Sequence, residues 1–244
     1  MRIALGLEYD GSQYHGWQRQ NDTLPTVQLR LEEALSKVAN HNIETVCAGR
    51  TDAGVHALGQ VVHFDTVANR TLDNWVRGAN SILPRDIVVK WAEVVSDEFH
   101  ARFSAKAREY RYLIYNHKHP SALFYNRATW VNQDLDHNLM HVAGQYLLGE
   151  NDFTSFRGAL CQSKTPMRNV QKLNITKSNK LIIIDIKANA FLLHMVRNIV
   201  GSLLEVGLNK NNPEWIKKVL LAKNRSLAGA TAPPEGLYLR KVFL

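Results

Sequence analysis

Apolar residues alternate at the start of the chain: Ile3, Leu5 and Leu7 share one face, as in a half-buried strand. After a polar loop, Pro25 and Thr26 introduce Val27, Leu31, Ala34, Leu35 and Val38. That is the i, i+4, i+7, i+8 stripe of an amphipathic helix, with Glu33 and Lys37 on its wet side. Residues 43–48 and 59–65 read as strands. Thr71 caps a helix carrying Leu72, Trp75, Val76 and Ala79, and residues 87–95 close this half as another strand.

The second half repeats that order. Residues 109–116 form a strand, and Asp136 caps a helix using Leu139, Met140, Ala143, Tyr146 and Leu147. Strands at 168–177 and 181–187 flank the turn-like Ser178-Asn179. An apolar helix runs from about 191 to 208, Asn212-Pro213 starts a short helix at the N-cap and N1 positions, and 237–244 is the last strand. Each half reads βαββαβ. Two such units predict an α+β fold of two ferredoxin-like or RRM-like halves, with antiparallel sheets backed by helices. Residues 1–103 then form an N-terminal domain and 104–244 a C-terminal one.

Length and composition narrow the class. The chain has 244 residues, 45% hydrophobic and 21% charged, which is enough apolar material for one long core or two short ones. No run approaches the ~18 apolar residues of a membrane span. The opening MRIALGLEYDG reaches Glu8 and Asp10 too soon for a secretory signal. Two cysteines, Cys47 and Cys161, cannot build a disulfide framework or a four-cysteine zinc site. A soluble, cytoplasmic protein is expected.

Charge points to a partner. Thirty Lys and Arg against 22 Asp and Glu give a net charge of +8, and the isoelectric point is near 9.5. Residues 1–103 carry 10 basic and 13 acidic residues, whereas 104–244 carry 20 and 9. The basic half is the expected footprint for a polyanion.

The chain lacks a P-loop and a G-x-G-x-x-G dinucleotide fingerprint. His137 and His141 stand four apart, but Asn138 occupies the place where a metalloprotease helix needs Glu. His56 and His63 have no third ligand at a recognisable spacing, so no metal is expected. The segment CAGRTDAGVHALGQVVHF (47–64) differs. Gly49, Gly54 and Gly59 permit backbone geometries closed to other residues, and Arg50 and Asp52 sit between the first two. Such a loop mounts functional groups on a rigid sheet. The same spacing also suits a plain turn with a surface Arg–Asp pair, and composition leaves both readings open.

GRTDAGVHA together with GQV resembles the signature of the TruA family, the tRNA pseudouridine synthases A. EYDGSQYHGWQRQ (8–20), FHARFSAKAREYRY (99–112), LLGENDFTSFR (147–157) and KANAFLLHMVRNIVGSLLEVG (187–207) are similar to the family's blocks in the family's order. The resemblance spans essentially the whole chain. It implies isomerisation of uridine to pseudouridine in the anticodon stem-loop of tRNA, at positions 38, 39 and 40. It also implies a homodimer, with the active site in the cleft between the two halves.

By that resemblance Asp52 is the catalytic aspartate. An ionised carboxylate can attack C1′ or C6, or take the proton at C2′. No redox change or external nucleophile enters, so no cofactor is expected. Arg197 lies at the edge of an apolar helical arc, where pattern alone allows a snorkelling side chain or a buried pair. The R-N-I-V-G-S block implies that it pairs with Asp52. Tyr110 matches the first tyrosine of the family's Y-x-Y element, which lies against the target base, and Arg50 matches an arginine that assists base flipping.

The RNA surface is broader. Tyr14, His15, Trp17 and Arg19 interleave aromatic and basic character. Arg157, Lys164 and Arg168 lie on or beside loops of the basic half. Arg70, Lys118 and the FHARF run (Phe99, His100, Ala101, Arg102, Phe103) fall at positions the family uses for tRNA. Two rival classes are weaker. A non-catalytic RNA-binding protein with paired RRM-like folds leaves the G-R-T-D-A-G loop without a role. A glycosidic hydrolase needs a second carboxylate, and none stands beside Asp52 in the sequence.

Overall fold

A computed structural model describes residues 1–20 and 24–244. The described residues divide into two compact units, Met1–Lys106 with Tyr238–Leu244, and Ala107–Leu237. The architecture is mixed α+β, and no described helix is long and apolar enough to cross a membrane.

The first unit contains β1 (Arg2–Tyr9), α1 (Val27–Ala39), β2 (Val46–Cys47), β3 (His56–Asp65), α2 (Leu72–Ile82) and β4 (Ile87–Val95). β1 is the central strand, antiparallel to β3 on one side and to β4 on the other. β2 pairs antiparallel with β3 at Val46↔His63 and Cys47↔Val62. Both helices start where expected: the Thr26 hydroxyl accepts from the Leu29 N–H and the Thr71 hydroxyl from the Asn74 N–H.

β2 is shorter than the expected 43–48 for a specific reason. Side chains of α1 take the backbone donors before it: Glu32 Oε1 accepts from the Thr45 N–H at 2.8 Å, and Ser36 Oγ from the Ile43 N–H at 2.9 Å. Those peptides are satisfied by a helix and so do not enter the ladder.

The second unit contains β5 (Ala107–Asn116), β6 (Thr129–Val131), α3 (His137–Gln145), β7 (Gly149–Asp152), β8 (Met167–Ser178), β9 (Leu181–Ala188), α4 (Met195–Gly207) and α5 (Glu214–Ala222). Its strands run β5-β9-β8-β7, all antiparallel, and β6 adds parallel to β5. The short β6 and β7 carry no periodicity long enough to announce them. α4 begins four residues later than expected, because His194 takes a left-handed conformation with φ of 59°. At α5, Asn212 Oδ1 accepts the Trp215 N–H at 3.1 Å, as a cap does. The last strand, β10 (Leu237–Phe243), pairs parallel with β3 at Tyr238↔His56 and Leu239↔Ala57.

The first core is closed by Trp75 of α2. Its ring is fully buried and meets Phe64 of β3 at 5.0 Å between centroids. Its indole Nε1 is buried with no hydrogen-bond partner among the described residues. Trp75→Ala is expected to lower the unfolding free energy by about 3–5 kcal/mol. Trp75→Phe should cost well under half of that, because it removes a donor that burial penalises. Urea unfolding of both variants checks this; equal costs would mean that losing the indole N–H relieves no penalty and that the remaining ring volume does not help.

Candidate active site

The 48–55 loop leaves β2 after one last ladder bond, from the Ala48 N–H to the Val61 carbonyl at 2.8 Å. Gln60 of β3 is fully buried and continues the ladder with its side chain. Its Nε2 donates to the Gly49 carbonyl at 2.6 Å, and its Oε1 accepts the Gly49 N–H at 3.3 Å. Thr51 is held twice: its hydroxyl meets the Tyr9 hydroxyl at 2.8 Å, and its carbonyl accepts the Trp17 N–H at 3.0 Å. A turn follows, with the Val55 N–H on the Asp52 carbonyl at 3.1 Å. Gly54, at φ of 76°, occupies the third turn position, and its N–H reaches the Tyr14 carbonyl at 3.2 Å. Asp52 is thus half-buried on an irregular but bonded loop, and Arg50 is exposed two residues before it.

The segment 10–18 supplies several of these braces. Gly16 adopts φ of 90°, and a Cβ there would stand 2.7 Å from the Thr51 carbonyl oxygen. The Gly11 N–H donates to His56 Nδ1 at 3.0 Å, and the His56 ring stacks on Tyr238 of β10 at 4.6 Å. Tyr14 and Trp17 do not display their rings for stacking: Trp17 is 1% exposed, and the buried Tyr14 hydroxyl donates to Asp86 at 2.7 Å. Their apolar bodies fill the space beneath the loop. Arg19 remains exposed, 3.7 Å from Glu32.

The FHARF run is a turn pinned from below. Arg2 pairs with Asp65 through two contacts of 2.8 Å and donates to the Phe99 carbonyl at 2.8 Å. The Ala101 N–H donates to His63 Nδ1 at 3.2 Å, and Ala101 itself is fully buried, so it anchors the turn and is not presented to a ligand. Phe103 projects outward at 76% exposure, stacked on His100 at 4.3 Å, with the Arg102 guanidinium 5.5 Å from its ring centroid. Arg70 is also exposed, its Nε on the Val38 carbonyl at 3.2 Å.

In the second unit, Tyr110 lies on β5 opposite Ile186 and meets Phe191 edge-on at 5.0 Å. Arg197 is half-buried on the first turn of α4. Its Nε donates to the Ala232 carbonyl at 2.7 Å, while the Ala232 N–H returns to the Arg197 carbonyl at 3.1 Å. Lys118 and Lys164 are exposed. Arg157 and Arg168 turn inward instead, onto the Cys161, Ser163 and Thr165 carbonyls, and shape the loop that carries Lys164. Burial pushes the Arg168 guanidinium below its ordinary pKa. Among the described residues, no three His, Cys, Asp or Glu side chains converge as metal ligands would.

Two supports escaped sequence reasoning. Gln60 reads as a polar residue in an apolar strand, a signal of buried hydrogen bonding. The 228–232 segment before Pro233-Pro234 reads only as a loop.

The sequence matches the family described as tRNA pseudouridine synthase over residues 7–104 and 143–243. A protein of Vibrio cholerae serotype O1 named tRNA pseudouridine synthase A is 59% identical over 242 residues, covering 99% of this chain and 91% of that one. The protein of that name from Aliivibrio fischeri is 60% identical over 239 residues, covering 98% and 91%. The one from Vibrio vulnificus is 59% identical over 239 residues, covering 98% and 90%. A solved Cbf5-Nop10-Gar1 complex overlays at a TM-score of 0.35 and 12% identity, over 83% of this chain and 45% of that one, too loosely to inform the fold. These matches make the chain an isomerase of the pseudouridine synthase class. It belongs to the tRNA pseudouridine synthase family.

Two predictions follow from the braces. Gln60→Leu, close in volume, should lower stability by about 1–3 kcal/mol through the stranded Gly49 peptide and reduce turnover at least tenfold as the loop loosens. Denaturant titration and turnover assays check this; full turnover would remove the clamp from the site. The second concerns His63, whose Nδ1 accepts a hydrogen bond and so carries no proton. Burial, then Arg2 and His100, hold its pKa below the ordinary value. The unfolded chain therefore binds the proton first, and stability falls as pH drops below about 6.5. Urea unfolding at pH 7.5 and 5.5 should show a larger acid loss for the wild type than for His63→Gln.

Proposed function

We propose that this chain is a cytoplasmic homodimeric enzyme that isomerises uridine to pseudouridine in the anticodon stem-loop of tRNA, at positions 38, 39 and 40, with Asp52 as the catalytic group. The observation that carries this reading is the loop itself. A half-buried carboxylate stands where the neighbouring peptides at 49, 51 and 54 are all bonded to other parts of the unit. Such preorganisation is what a nucleophile or base requires.

The reaction breaks the bond from C1′ to N1, turns the base, and forms a bond from C1′ to C5. The proton on C5 leaves and N1 gains one, so the product is an isomer and the chemistry needs no metal or organic cofactor. Asp52 serves by attacking C1′ or C6, or by taking the C2′ proton. Arg197 is the cation that the family resemblance assigns to the reaction. Tyr110, held edge-on by Phe191, lies against the base, and the exposed Arg50 takes the place that the flipped uridine leaves.

Binding draws on Phe103 stacked with His100 and Arg102, and on Arg19, Arg70, Lys118 and Lys164. Phe99, Ala101, Tyr14 and Trp17 contribute by shaping those surfaces. The ferredoxin-like reading of the halves draws support from the antiparallel order β4-β1-β3-β2 in the first unit.

The test incubates wild type, Asp52→Ala and Arg197→Ala with an unmodified tRNA transcript and maps pseudouridine at single-nucleotide resolution. Product in the anticodon arm is expected from the wild type alone, with both variants folded and still binding tRNA. Product from Asp52→Ala, or free uracil from the wild type, would overturn the mechanism.

A further inference from the structure

The segment that meets Arg197 is laid along α4 in register. Gly229 donates its N–H to Ser202 Oγ at 2.9 Å. Ala230 lies over Gly201, where a Cβ would come within 1.7 Å of the Ala230 carbonyl oxygen. Thr231 Oγ1 donates to Asn198 Oδ1 at 2.7 Å, and Ala232 exchanges two hydrogen bonds with Arg197. As the helix steps back from 202 to 197, the segment steps forward from 229 to 232.

Arg225 fastens this arrangement from outside. Its guanidinium donates to the Gly229 carbonyl at 2.9 Å, to Thr231 Oγ1 at 2.9 Å and to Asn198 Oδ1 at 3.0 Å. Asn198 is 1% exposed, and its Nδ2 is committed to the Phe156 carbonyl at 2.8 Å. A planar fork that joins the segment and the helix at three oxygens fixes where the Ala232 carbonyl stands. The Arg197 Nε follows that carbonyl.

We propose that Arg225, acting through Asn198 and Thr231, is the positioning residue for Arg197. It shapes the 229–232 segment so that the Ala232 carbonyl orients the Arg197 side chain for the reaction. This rests on the proposed role of Arg197 in catalysis. Arg225 itself contacts no reacting atom.

The experiment is a double-mutant cycle on the full chain, with kcat and KM for tRNA measured for Arg225→Met, Arg197→Lys and the pair. Urea unfolding confirms that each variant is folded at the assay temperature. Arg225→Met should lower kcat about tenfold or more while KM stays within about twofold, since a misplaced group costs turnover and not binding. In the Arg197→Lys background the same substitution should add little, because its effect is already spent. Arg225→Lys, one ammonium in place of a fork, should fall between wild type and Arg225→Met. Should Arg225→Met fail to fold, Thr231→Val removes one hydroxyl and must show the same loss on a smaller scale, again absorbed by Arg197→Lys.

Losses that multiply in the double variant overturn the positioning role and leave Arg197 in place. A raised KM with unchanged kcat overturns it too, making Arg225 an RNA contact. Full kcat in Arg197→Lys would instead remove Arg197 from the chemistry, and the positioning role with it.

Discussion

The Trp17 N–H on the Thr51 carbonyl, at 3.0 Å, is the contact on which the geometry around Asp52 depends. It requires segment 10–18 to cross directly over residues 51–53, and only a residue without a Cβ, at positive φ, fits at position 16. The crossing in turn buries Trp17 against Tyr9, sends the Tyr14 hydroxyl to Asp86, and lets the Tyr14 carbonyl take the Gly54 N–H. An irregular loop ordinarily leaves its peptides to water. Here two loops satisfy one another, with Gln60 completing the account at Gly49.

The second unit solves a similar problem with a helix. Arg197 is a long cation whose side chain could sweep a wide arc from the first turn of α4. The 229–232 segment limits it by offering one carbonyl, and Gly201 admits that segment to the surface of α4. Backbone carbonyls suit such work because they move only with the chain. A side-chain acceptor would add rotamer freedom of its own.

Much of the fold was legible because its longer elements obey period and capping rules. β4 spans 87–95 as expected, α1 begins right after Thr26, and Thr71 and Asp136 cap the helices they precede. The misses share a cause. β2 is cut short by Glu32 and Ser36 reaching back from α1, and α4 is delayed by a left-handed His194; both depend on contacts remote in sequence. The same limit applied to loop 10–20. Tyr, Trp and Arg together suggest a stacking surface by type, yet burial depends on what crosses over them, and periodicity is silent in a loop. The GRTDAG run was ambiguous on physical grounds alone. Its meaning came from family resemblance, while its stiffness came from partners at positions 9, 14, 17 and 60.

That stiffness fits the demands of an internal rearrangement. In a uridine isomerisation the base must detach, turn and re-attach, so large motion belongs to the substrate. A protein group that moved with it would lose the alignment needed for the second bond. The peptide of Gly49, the carbonyl of Thr51 and the N–H of Gly54 are all bonded within the first unit, so the backbone that carries Asp52 has little freedom. Arg50 differs, since its side chain is exposed while the residues on either side of it are clamped. The loop therefore holds two different groups two residues apart: a half-buried carboxylate on bonded backbone, and a cation exposed to solvent.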